Sequence, residues 1–304
     1  MNRQQLKPIV DVLRDHADEP ALVAATIWQA LEDDSVKPGW RLQLMKLALF
    51  CEQLATGGPI AAAFSIFAEG NSKLPFLSFS AMPGFGFCPG SGDCRDWCYS
   101  FNAWRYPAAF CRQAQNTLLL SSETGRFAIA DELRAQLKRP KYRDQERVDF
   151  RLYVDGDFRD MLDVHFWMMQ IKSLPQLAAY GYSKSFHELL AYDVALSARE
   201  GLTIAADSWP RNYVLNVSSG HRHSAEVVAA VESLPITRGR FVAVAMPTRA
   251  RHSDHGNRSH QVALRQAYGK KAFTCPGECG TCTPTGHACG SERFQGVDII
   301  IAAH

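Results

Sequence analysis

The chain has 304 residues and a mass of 33.8 kDa, with 46% hydrophobic and 21% charged residues, so it can bury a sizeable core without disulfide or metal staples. Its 33 basic and 31 acidic residues leave a net charge of +2, which excludes a generally basic nucleic-acid coat and an acidic disordered tail. No apolar run reaches the ~18 residues of a membrane helix and the N-terminus has no apolar signal region, so the sequence predicts a cytoplasmic protein with no membrane partner.

Residues 1–57 read as a helical N-terminal extension. Leu6, Ile9, Val10 and Leu13 recur at helical spacing, two further helical runs cover 21–31 and 40–54, and Thr56-Gly57-Gly58-Pro59 stops the last one. From residue 70 to 304 the period changes. Strand-like runs at 74–80, 148–154, 177–183, 212–218, 240–246 and 297–302 alternate with helical runs at 103–120, 126–137, 158–173, 186–200, 224–234 and 259–268. Such alternation predicts an α/β fold with a parallel sheet and right-handed crossovers, here a partial (βα)6 TIM-like barrel. Ligands of such folds sit at the carboxyl ends of the strands, so the segments after each strand are where chemistry is expected.

Nine cysteines are the unusual feature. Cys51 and Cys111 stand alone on helical stretches. The other seven form two groups, Cys88-x5-Cys94-x3-Cys98 and Cys275-x3-Cys279-x2-Cys282-x6-Cys289. Clustered thiols in a reducing compartment point to metal. Three thiolates on a four-iron cluster leave one iron open, and the x5/x3 spacing is unlike the knuckle of zinc fingers, which favours iron–sulfur at the first group. The second group closes a four-ligand site by itself, and zinc or a [4Fe-4S] cluster fits its spacing equally; a single centre shared by both groups is a further alternative. Both groups follow strands, so both are expected to open on one face of the barrel.

The remaining candidates are polar. Asp155-Gly156-Asp157 follows a strand and reads either as a plain turn or as an acid/base or cation-binding group. His221, His223, His252, His255 and His260 read as surface loop residues. Arg249, Arg251 and Arg258 form a candidate anion or nucleic-acid patch, and Lys184 and Arg151 either join it or form a solvated face. Trp97, Tyr99, Phe101, Trp104 and Tyr106 are expected to shield the first cysteine group. A phosphate loop, a dinucleotide fingerprint and a nucleophile elbow are all missing from the sequence.

Two resemblances meet at these residues. A three-cysteine loop after the first strand and a Gly-acidic turn after the second resemble a radical S-adenosylmethionine enzyme. That resemblance implies a cluster on Cys88, Cys94 and Cys98 and S-adenosylmethionine contacts from Gly156, Asp157, Ser183, Asn216 and Ser218; Asp157 and Lys184 are the candidate catalytic residues. The spacing departs from that superfamily, with x5/x3 in place of x3/x2. More closely, Met82-Pro83-Gly84, Cys88…Cys94…Cys98-Tyr99, Arg151-x3-Asp155-Gly156-Asp157-Phe158, Tyr182-Ser183-Lys184-Ser185 and the late cysteines resemble the phage and plasmid gene product 88 family of mobile-element proteins. This second resemblance spans about residues 70–304 and implies an iron–sulfur protein of a mobile element; Cys275, Cys279, Cys282 and Cys289 are expected to hold an auxiliary cluster or a zinc. The competing expectation is a non-enzymatic, metal-stabilised protein that binds nucleic acid or a protein partner.

Overall fold

The computed structural model describes residues 1–84, 86–96, 98–200, 209–247, 251, 254–280, 282–284 and 286–303, with the side chains of residues 199 and 200 set aside. Two compact units emerge. The first comprises residues 1–68, 79–87 and 99–144; the second comprises 69–78, 88–98 and 145–304.

The first unit is helical. It holds α1 (Arg3–Asp15), α2 (Pro20–Leu31), α3 (Pro38–Ala55), α4 (Pro107–Leu120) and α5 (Glu123–Leu137), with the two-residue strand β1 (Phe67–Ala68). Asn2 and Gln5 form a reciprocal capping box at the start of α1, and Pro sits in the first turn of α2, α3 and α4, where its missing N–H costs nothing. The segment read as an extension is helical, and it shares this unit with α4 and α5. Trp40 on α3 meets Phe110 on α4 edge-on at 5.7 Å, and Trp104 meets the same ring at 5.4 Å. Phe101 and Trp104 thus belong to this helical core, while Tyr106 is exposed. Trp97 lies outside the described residues. Cys51 and Cys111 are both fully buried, and burial pushes the Cys51 thiol up to about 12, so these two pack as neutral apolar groups. Replacing Trp40 with Ala is expected to cost about 3–5 kcal/mol, measured as a loss of denaturation midpoint.

The fold class is mixed α/β, built on eight strands in the order β1-β2-β3-β4-β5-β6-β8-β7. The strands after β1 are β2 (Leu77–Phe79), β3 (Val148–Leu152), β4 (Leu177–Ser183), β5 (Tyr213–Ser218), β6 (Thr237–Val244), β7 (Phe273–Thr274) and β8 (Ile299–Ala302). Pairings from β2 through β8 are parallel, including β7 with β8. The sheet is open, with β1 and β7 at its edges.

The second unit carries α6 (Met161–Ser173), α7 (Phe186–Glu200), α8 (Ala225–Glu232) and α9 (Arg258–Tyr268). Residues alternate between the sheet's two faces, and the register fixes which ones share a face. Arg151, Tyr180, Val214, and then Tyr182 with Asn216, and Ser218 with Phe241 and Ile299, lie on one face. Phe150, Ile300 and Ala302 lie on the other, against Trp167 of α6 and Leu264 of α9. The first face is covered instead by the late cysteine segment, through Ala288 and Cys289.

Candidate functional site

At the end of β3 the chain makes a strained turn. Tyr153 has φ 53°, a conformation that costs a non-glycine residue of order 1 kcal/mol and is held here by burial of its ring against Phe158 and Trp167. Gly156 follows at φ 87°, where a Cβ is disfavoured, and the reversal turns Asp157 inward. Asp157 is buried. One carboxylate oxygen accepts from Phe158 N–H (2.9 Å) and Ser183 Oγ–H (2.7 Å), the other from Lys184 N–H (2.7 Å). Burial raises its pKa, against the opposing pull of these bonds. Ser183 Oγ accepts in turn from Ser185 N–H at 3.0 Å, and Ser185 Oγ donates to Phe158 carbonyl at 2.6 Å.

Asp157 is therefore the clasp that fixes the end of β4. Both of its oxygens and the Ser183 hydroxyl are engaged inside the protein. Asp157→Asn turns one acceptor into a donor facing N–H or O–H groups and is expected to cost about 1–3 kcal/mol. An unchanged denaturation midpoint would contradict the clasp.

The clasp presents Lys184. Its Nζ donates to Ser218 Oγ at 2.8 Å, across from β4 to β5, and its carbonyl accepts from His223 Nε2–H at 2.7 Å. His223 stacks on Phe186 at 4.7 Å, has His187 edge-on at 4.7 Å and His221 at 5.9 Å. Burial holds both His221 and His223 below the usual histidine range, so both are neutral near pH 7.

The first cysteine loop is sewn to this cluster by its backbone. Gly92 N–H (2.9 Å) and Cys94 N–H (3.3 Å) both donate to Gly220 carbonyl, Arg222 N–H donates to Gly90 carbonyl at 3.1 Å, and Ser91 bridges His221. Burial raises the Cys94 thiol; the Lys184 ammonium pulls it down, and Cys98 and Asp157 push it up. Cys94, Cys98, Asp157, Lys184 and Ser218 thus gather at the carboxyl ends of β3–β5.

The second group lies elsewhere. Cys275 follows β7 and its N–H donates to Ile300 carbonyl (2.8 Å); Cys279 N–H donates to Lys73 carbonyl (2.9 Å), at the amino-terminal side of β2. Cys289 is buried with Tyr180 and Ile299, and Cys275 and Cys282 pack on the same cluster. Gly277 N–H points at Cys275 Sγ and Ala288 N–H at Cys282 Sγ, each at 3.4 Å. Burial pushes Cys275 up to about 11 and Cys289 up to about 12. The four thiols sense one another: Cys279 raises Cys275, Cys282 and Cys289. Among the described residues, no three His, Cys, Asp or Glu side chains are drawn into a ready ligand cage.

The first group sits at the carboxyl ends of β4 and β5, whereas the second spreads across the sheet face, from Cys275 beyond the end of β7 to Cys279 at Lys73, before the start of β2. Asn216 belongs to the second environment. It is fully buried, its amide donates to the carbonyls of Gly181 (3.1 Å) and Cys289 (2.9 Å), and its oxygen accepts from Arg238 Nε–H at 2.7 Å. Both of its N–H groups are used, and its oxygen is committed to Arg238.

Sequence reasoning missed four neighbours of the late cysteines. Tyr180 and Arg238 are buried on the strands; His287 is wedged between Tyr180 (4.4 Å) and Phe76 (4.8 Å), with Nε2 3.5 Å from Asp149 Oδ1. His255, read as a surface residue, is 1% exposed and packs against Gly277. The β4 alternation was the one available signal, since it put Tyr180 and Tyr182 on a single face. Arg151 lies over the Tyr182 ring at 4.9 Å and so belongs to this face. Arg251 and Arg258 are exposed, and Arg249 and His252 lie outside the described residues.

The fold and these loops define an open α/β protein, parallel from β2 onward, with cysteine groups at the strand ends and on a sheet face. The chain belongs to the Gene product 88 family, which it matches over residues 53–296. Comparison with curated proteins and with solved structures returned no match. No helix among the described residues is long and apolar enough to cross a membrane.

Proposed function

We propose that the chain is an iron–sulfur protein of a mobile element, with a reaction site at the carboxyl ends of β3–β5 and an auxiliary metal centre on the sheet face. The observation that carries this reading is the anchoring of the Cys94 loop on Gly220 and Arg222, beside the Lys184–Ser218 pair and the Asp157 clasp. The donor sets fit. Cys88, Cys94 and Cys98 share one backbone-anchored loop beside a cation that favours thiolate, and the late thiols accept N–H bonds as metal-bound sulfurs do. A cluster held by three thiolates supplies single electrons and keeps one iron open. Lys184 and Ser218 would then orient a polar or anionic group of the reactant beside it. Asp157, Ser183 and Asn216 are engaged within the protein, so the proposal extends to one-electron chemistry and assigns S-adenosylmethionine no contacts from those three side chains.

Iron and acid-labile sulfide measured on anaerobically prepared protein test the reading. Brown protein with absorbance near ~400 nm is expected. A colourless protein loaded with zinc alone would reject it.

A further inference from the structure

The sheet face beneath the late cysteines holds a polar group that no described residue satisfies. Tyr180 is fully buried, and its hydroxyl has no hydrogen-bond partner among the described residues. Such a group costs about 1–3 kcal/mol when left unpaired. Tyr180 stands among sulfur atoms: it packs in one cluster with Cys289, Cys275 and Cys282. Two residues along the same face of β4, the Tyr182 hydroxyl already donates to Cys289.

Charge tells a similar story. Arg238 is 1% exposed, and its guanidinium donates to Asn216 Oδ1 and to the carbonyls of Phe294, Val297 and Arg240, all of them uncharged. A buried cation is expensive without a close counter-charge; the carboxylate that acts on Arg238, Asp298, is itself hydrogen-bonded by Tyr268. Four neutral thiols offer the hydroxyls weak acceptors and the cation nothing. Four metal-bound thiolates offer strong sulfur acceptors and a net negative charge beside Arg238.

We propose that Tyr180 is a positioning residue of the second centre: its hydroxyl donates a hydrogen bond to a metal-bound sulfur of the Cys275–Cys289 group, and Arg238 supplies the buried counter-charge. This rests on the reading that the group holds a metal. The proposal gives Tyr180→Phe opposite effects in two forms of the protein. In the metal-free chain it deletes an unpaired hydroxyl and keeps the ring, so the denaturation midpoint stays level or rises. In the loaded chain it deletes a bond to the centre.

The test uses the full-length chain, loaded with zinc or with ferrous iron and sulfide, and titrated with a chelator. The metal lost on replacing Cys279 and Cys282 with Ala defines the second centre's share. Tyr180→Phe is expected to weaken retention of that share about tenfold, with no fall in the metal-free midpoint. Unchanged retention in Tyr180→Phe overturns the role of Tyr180 alone. So does an equal loss of midpoint in both forms, which would mark a packing role. If the cysteine replacements remove no metal, the underlying metal reading falls and this proposal with it.

Discussion

Gly90→Ala is expected to detach the first cysteine loop. A Cβ at Gly90 would overlap the Lys184 carbonyl and come within 2.5 Å of His223 Nε2. The carbonyl cannot retreat, because Lys184 N–H and Ser183 Oγ–H are both held by Asp157. Nor can the imidazole, which donates to that same carbonyl and stacks on Phe186. The loop must therefore lift, and it gives up the bonds from Gly92 and Cys94 to Gly220 and from Arg222 to Gly90. At about 1 kcal/mol each, three such bonds amount to about 3 kcal/mol before any effect on metal. Iron retained by the purified variant should fall by the share of the first group. Gly256→Ala is the control, since a Cβ there meets open space. A Gly90→Ala protein with full iron and an unshifted midpoint would show that the loop is not anchored as described.

Much of the scaffold was legible because its signals are local. The run 177–183 is β4 residue for residue, since alternation and flanking turn residues mark both ends. Pro107 splits the expected 103–120 helix, leaving a 3-10 turn before α4, and Asp160 caps α6 so that it starts at Met161 rather than Phe158. Two-residue strands leave no period to read, so β1 and β7 were invisible. Missing β7 mattered most. It pairs with β8 directly before Cys275 and starts the loop that crosses the sheet face to Lys73.

The site divides the same way. Cysteine spacing flagged every candidate ligand, because thiols gathered on polar loops are rare without a cause. The partners were not legible. Asp157 is tied to residues 26 and 27 positions away, and Asn216 to Cys289 at 73. Tyr180, Arg238 and His287 look like ordinary strand and loop residues until the register brings them under the late cysteines.

Replacing Cys88, Cys94 and Cys98 together with Ala should remove one centre's worth of iron and sulfide and leave the other. The two groups are served by separate supports: the first by Gly220, Arg222 and the Asp157 clasp, the second by Lys73, Ile300 and Asn216. Neither set of bonds includes a residue of the other, so loss of one centre is not transmitted through a shared ligand. The reciprocal replacement of Cys279 and Cys282 should spare the first centre's iron. Stability is expected to respond unequally. Cys94 is the one buried thiol of the first group and lies on a loop, so removing those three side chains exposes little apolar surface. Cys289 is buried in a cluster that includes Tyr180, Ala288 and Ile299, so a metal held by the second group would brace the sheet face itself. Metal and sulfide content, with the denaturation midpoint of each variant, separates these outcomes. If either replacement empties both groups, the cysteines serve a single shared centre, and the separation of supports seen here has no functional meaning.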